Sequence, residues 1–85
     1  MNMSKYCKDK GMNYTEFENF KSNIESTAQA IKSTLTYKGG MYYPTTDLFN
    51  WSPNNDENIQ HFIIQELKNL GIEFFDNNKY YRVTD

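Results

Sequence analysis

The sequence predicts an α+β domain in which amphipathic helices lead into a C-terminal β-hairpin. Three features predict it. Apolar residues recur every three or four positions over residues 15–36 and again over 53–70, the period of a helix that buries one face. Two short runs rich in aromatic and β-branched residues, 72–75 and 80–83, flank Asp76, Asn77, Asn78 and Lys79. Asparagine tolerates positive φ, so Asn77-Asn78 suits a tight hairpin turn. Glycines at 39, 40, and 71 punctuate these segments.

Taken in order, residues 3–10 read as a short helix or arm stopped by Gly11, a residue favoured just past a helix C-terminus. Over 15–36, Phe17, Phe20, Ile24, Ala28, Ile31 and Leu35 form one stripe. Asn13 with Glu16, or Thr15 with Glu18, offers a capping-box start. Phe17, Ile24 and Ile31 also fall at heptad spacing, as in a dimer seam, but the repeat is too short to argue for a coiled coil. After Gly39-Gly40, Met41-Tyr42-Tyr43 reads as a short edge strand because Pro44 follows. Residues 45–51 suit a short helix capped by Thr45 or Thr46, with Leu48, Phe49 and Trp51 inward.

Ser52-Pro53 reads as the cap and first position of the next helix, which stops at Gly71. Ile59, Phe62, Ile63, Leu67 and Leu70 share its apolar side. Asn54, Glu57, Asn58, His61, Gln65 and Lys68 share the other, Ile64 lies at the margin, and Glu66 points into the apolar arc. In the hairpin, the Asn77-Asn78 turn opposes Phe75 to Tyr80, Phe74 to Tyr81, Glu73 to Arg82 and Ile72 to Val83. That register aligns an opposite-charge pair with two aromatic pairs, each worth roughly 0.2–1 kcal/mol. Ile72, Phe74, Tyr81 and Val83 then face inward, and Glu73, Phe75, Tyr80 and Arg82 outward.

At 85 residues the chain is expected to form one domain, 1–85, with 13–85 as its core. Aromatics make up 16% of it, which supplies a core without metals or disulfides. The single cysteine, Cys7, excludes an intramolecular disulfide. The polar first residues lack a signal peptide's pattern, and no apolar run approaches the roughly 20 residues of a membrane span. A cytoplasmic protein without membrane contact is the expectation. Net charge is −2. Residues 1–40 hold six lysines against four acids, and residues 41–85 three bases against seven acids. The basic excess of a nucleic-acid binder is therefore absent overall.

The order of elements, a helix at 15–36, strand at 41–43, short helix at 45–51, helix at 53–70 and hairpin at 72–83, resembles a winged helix-turn-helix domain. So does the run from Gln65 to Phe75, where an apolar helix end, a glycine and a short strand follow without a gap. The resemblance covers about residues 15–83 and implies helices packed on a small three-stranded antiparallel sheet. It also implies a recognition helix at 53–70, a wing at 72–83 and a DNA-binding regulator. A second segment, Tyr6-Cys7-Lys8-Asp9-Lys10-Gly11-Met12-Asn13-Tyr14-Thr15-Glu16-Phe17, is similar to the helix-turn-helix of transposase-associated proteins. Those carry a Cys before the turn, a Gly in it and Tyr-x-x-Phe after it. Their flanking basic and aromatic residues are mostly absent here. In either case Cys7 reads as a small buried hydrophobe.

Enzymatic signals are poor. His61 is the only histidine and has no adjacent nucleophile. No Cys/His set suits zinc, and residues 54–57 lack the pattern of a calcium loop. Gly39-Gly40 lacks the Lys-Ser/Thr of a phosphate loop. No cofactor is expected. The candidate DNA-contacting residues are Asn54, Asn58, His61, Gln65 and Lys68 on the helix, with Lys79, Arg82 and Lys38 for phosphates. Amide side chains pair with adenine edges, and cations pair with phosphates. The alternative is a module that binds a protein partner, for example a phage or mobile-element protein that inhibits a host protein. Its patch would be Tyr42, Tyr43, Phe75 and Tyr80, since tyrosines are favoured in interface hot spots. A homodimer through the stripe of residues 17–35 is a third possibility.

Overall fold

A computed structural model describes residues 2–35, 41–49 and 56–83. Three helices, α1 (Met3–Asp9), α2 (Tyr14–Thr34) and α3 (Glu57–Asn69), pack with a three-stranded antiparallel sheet. The strands are β1 (Tyr43–Pro44), β2 (Glu73–Phe75) and β3 (Tyr80–Arg82), in the order β1-β3-β2. One 3₁₀ turn, Thr45–Leu48, follows β1 directly. The fold class is thus α+β with a C-terminal hairpin, as the sequence predicts.

The two short-range ends of α1 and α3 are built alike. In α3, Gly71 N–H donates to the Lys68 carbonyl and Ile72 N–H to the Leu67 carbonyl. In α1, Gly11 donates to Lys8 and Met12 to Cys7. Both are Schellman caps, which need a left-handed residue just past the helix. Gly11 (φ +76°) and Gly71 (φ +99°) supply it. At the start of α2, the Asn13 side chain accepts from Glu16 N–H at 2.8 Å and Glu16 accepts from Asn13 N–H at 3.0 Å, so the capping box uses the first of the two expected pairs.

Three boundaries differ from expectation. Helix α3 starts at Glu57 with Asp56 as its cap. Asp56 Oδ1 accepts from Asn58 N–H at 2.8 Å, so an acid three residues downstream of Pro53 makes the capping bond. Ser52, Pro53, Asn54 and Trp51 lie outside the described residues, as do Lys38, Gly39 and Gly40. The short helix expected over 45–51 is one 3₁₀ turn ending at Leu48, preceded by Pro44 with no side-chain cap. Thr45 is buried there with its hydroxyl unpartnered, so it does not act as a cap. Finally, β1 is Tyr43–Pro44, so Met41 and Tyr42 precede the ladder. It is an edge strand, where proline is tolerated.

The core lies chiefly between α2 and α3, the most extensively packed pair. Ile24, Ala28 and Ile31 meet Phe62, Ile63 and Leu67, and Leu48, Ile72 and Tyr81 extend this core to the sheet. Ile64 is buried and Glu66 half-buried at the edge. The first helix belongs to the core as well. Tyr6 and Cys7 are 6% and 2% exposed. The Tyr6 ring lies 5.6 Å from Phe20 and 5.4 Å from Phe62, and those two are 6.2 Å apart. Tilted and edge-to-face rings at such distances stabilise by about 0.5–1.5 kcal/mol per pair beyond burial.

Candidate functional site

The hairpin register is the predicted one: Glu73 opposes Arg82, Phe74 opposes Tyr81 and Phe75 opposes Tyr80. Asp76, Asn77 and Asn78 all take positive φ, and Lys79 N–H donates to the Asp76 carbonyl at 3.2 Å to close the turn. Because side chains alternate along a strand, this register sorts the aromatic residues onto two faces. Tyr81 and Phe74 turn to the core. Tyr43 opposes Tyr81 with its ring 5.8 Å away, so it belongs to the inner face, apart from the rest of the expected patch.

The outer face gathers Tyr42, Phe75, Tyr80, Glu73 and Arg82. Tyr42 and Phe75 meet edge-to-face with centroids 4.9 Å apart. The Arg82 guanidinium lies 5.5 Å from the Tyr42 ring and 5.4 Å from the Phe75 ring, and donates to Glu73 Oε2 at 2.6 Å. An ion pair across the ladder and two cation–π contacts therefore hold one side chain. Tyr42 remains 57% and Tyr80 44% exposed. Arg82, expected from the sequence to contact phosphate, packs instead against Tyr42 and Phe75 and pairs with Glu73. Its place as the centre of an aromatic cluster depends on Tyr42, which follows a distant part of the chain. The one available signal was the alternation that puts Phe75 and Arg82 on one face.

On α3, the described members of the predicted polar row, Glu57, Asn58, His61, Gln65 and Lys68, are all exposed. The Lys68 ammonium lies 5.9 Å from the Phe74 ring. Lys79 is exposed at the hairpin tip, and its carbonyl accepts from Thr45 N–H at 2.8 Å. That bond fixes the 3₁₀ turn beside the tip. Between the turn, the tip and the first turns of α3 lies an open cleft of about 620 Å³. Thr46 and Phe49 line it on one side, Gln60, His61 and Ile64 on another, and Asn78, Lys79 and Tyr80 on the third.

No family model, curated protein or solved structure matches this chain. Its three helices and small three-stranded antiparallel sheet are compatible with a winged-helix layout. Among the described residues, no helix is long and apolar enough to cross a membrane.

The shifted titrating groups concern the framework more than this surface. Burial pushes the Tyr6 phenol up, and its bond to Asp56 pushes the same way. The Asn58 N–H, followed by the Tyr6 hydroxyl, holds the Asp56 carboxyl below its ordinary range. Burial alone pushes the Cys7 thiol up, which suits an inert core residue better than a nucleophile.

Proposed function

We propose that this chain is a non-enzymatic winged-helix module that binds a protein partner through the outer face of its sheet. The carrying observation is the ordered Tyr42–Arg82–Phe75 cluster beside the exposed Tyr80. Tyrosine and arginine dominate interface hot spots, and side chains already held in place lose little entropy on binding. Charge supports the same choice. Residues 56–83 carry Asp56, Glu57, Glu66, Glu73 and Asp76 against Lys68, Lys79 and Arg82, and Arg82 is committed to Glu73. Non-specific DNA affinity grows with each phosphate neutralised, about 0.9 in the log–log salt slope per contact. This surface has few cations to offer. A role in a phage or mobile element, as an inhibitor of a host protein, fits such a module.

The second reading is a sequence-specific DNA regulator. It is favoured by the exposed row Asn58, His61, Gln65 and Lys68 on α3, with Lys79 at the wing tip, because amides at such positions pair with adenine edges. One pair of experiments separates the two. With a photo-crosslinking amino acid at position 42, the protein reading expects one discrete adduct in host lysate, lost on Tyr80→Ala and Phe75→Ala. Adduct recovery unchanged by both substitutions would count against it. A mobility shift against random duplex pools at low salt is expected to show no binding, and salt-sensitive retention would favour DNA instead.

A further inference from the structure

We propose that α1 is a strap that opens as a unit while the rest of the fold stays intact, and that Asp56 couples its opening to the first turn of α3. The device is built into the framework and does not depend on which surface meets a partner.

Three observations carry it. The first is how α1 and α2 are joined. A helix of seven residues does not hold its shape alone in water, so α1 is helical only when docked. Its cap closes at Gly11, in the left-handed region. Helix α2 then starts on bonds of its own, between Asn13 and Glu16, which use no residue of α1. Its start survives when α1 leaves.

The second is packing. Helix α1 packs on α2 far less extensively than α3 does, and its buried residues are Tyr6 and Cys7. The core that α2 and α3 share with the sheet, through Ile31, Leu67, Ile72 and Tyr81, comes from other elements. A lightly packed unit opens at a lower free energy than the whole domain. Opening bares the Cys7 thiol and the ring faces of Phe20 and Phe62 that Tyr6 covers.

The third is the shared carboxylate. Asp56 Oδ2 accepts from the Tyr6 hydroxyl at 3.0 Å, and Oδ1 accepts from Asn58 N–H at 2.8 Å. One rotamer serves both bonds. When Tyr6 leaves, the carboxylate is freer to turn and the cap of α3 loosens. When the first turn of α3 frays, Asp56 moves away from Tyr6. Such coupling is reciprocal, so whatever orders that turn also holds α1 down.

The test is labelling of Cys7 in the full chain by an aromatic disulfide, with amide exchange followed in parallel. Both are run in urea below the unfolding transition, at reagent levels where the labelling rate is proportional to reagent. Labelling is expected to rise with urea on a shallower slope than exchange at the Ile31 and Leu67 amides, because the slope scales with the surface exposed. Tyr6→Phe keeps the ring and removes the bond. It should speed labelling about fivefold, the share of an ordinary hydrogen bond, and also speed exchange at Asn58 and Gln60, with the shallow slope kept. Asp56→Ala should speed labelling by a similar factor. A labelling slope equal to the global one overturns the strap in the parent protein alone. The coupling is overturned if Tyr6→Phe leaves Asn58 and Gln60 unchanged, or if Asp56→Ala leaves labelling unchanged.

Discussion

The Tyr6 hydroxyl donates to Asp56 Oδ2 at 3.0 Å, which ties α1 to the cap of α3 across fifty residues of sequence. One carboxylate thus serves two elements: Oδ1 caps α3 through Asn58 N–H, and Oδ2 anchors the N-terminal helix. Lys10 lies 5.5 Å from the same Tyr6 ring and adds its charge near Asp56.

This junction sets a pH dependence. Asp56 titrates below its ordinary value when folded, so its contribution is present above the unfolded carboxylate pKa of about 3.9 and is lost as pH falls through the folded value. Asp56→Asn keeps a capping oxygen and removes the charge. Its urea midpoint is expected to fall less than that of the parent between neutral and strongly acidic pH. Equal acid slopes in the two proteins would refute the assignment.

The alkaline limb has the opposite sign. Tyr6 titrates above its ordinary value when folded, so its contribution is complete below about pH 10 and is lost as pH rises through the folded value. Cys7 and Tyr81, both raised by burial, act in the same direction. Tyr6→Phe should flatten part of this limb while keeping the ring contacts with Phe20 and Phe62. Denaturant midpoints across alkaline pH measure it.

The two Schellman glycines should fail for backbone reasons alone. A Cβ at Gly11 or Gly71 would meet no atom within 4 Å, yet both hold positive φ. Gly71→Ala is therefore expected to cost about 1–2 kcal/mol through conformation, not through a clash. A D-alanine at the same position in a synthetic chain should recover that loss. Equal stability of the L- and D-forms would disprove the account.

The hairpin tip can be improved. Asn77 and Asn78 sit at φ +56° and +66°, and Asn-Gly is the strongest pair for a turn with both centres left-handed. Asn78→Gly should raise stability by about 0.5 kcal/mol, whereas Asn78→Val should lower it by about 1–2 kcal/mol. Thermal or urea unfolding of the three proteins gives the order.

On the outer face, a double-mutant cycle on Glu73 and Arg82 should return a coupling of about 0.5–1 kcal/mol, reduced by salt, because both side chains are partly solvated at 45% and 31% exposure. Arg82→Lys should also lose stability, since a lysine cannot lay a planar cation against Tyr42 and Phe75 at once. Coupling near zero at low salt would mean the bridge does not order the face.

Much of the framework was legible because its signals are local. The stripe from Phe17 to Leu35, the stop at Gly71 and the Asn77-Asn78 turn each state their structure within a few residues. The hairpin register followed from the turn, and the outward row on α3 from its period. The start of α3 was misread because Ser52-Pro53 and Asp56 are both valid caps in sequence. Tyr43 was misassigned to the outer patch because a two-residue strand carries too little alternation to declare its face.

By itself, the sequence determined the α+β class, the Asn13–Glu16 capping box of α2, the glycine stops, the hairpin turn and the inner and outer residues of the hairpin. Backbone dihedral preferences and hydrophobic period act over short spans and do not depend on distant neighbours. Tertiary structure alone decided that Tyr6 packs against Phe20 and Phe62 and meets Asp56, and that Tyr42 closes over Arg82 beside a cleft. Those contacts join residues far apart in the chain, and no periodicity encodes which distant side chains packing will bring together.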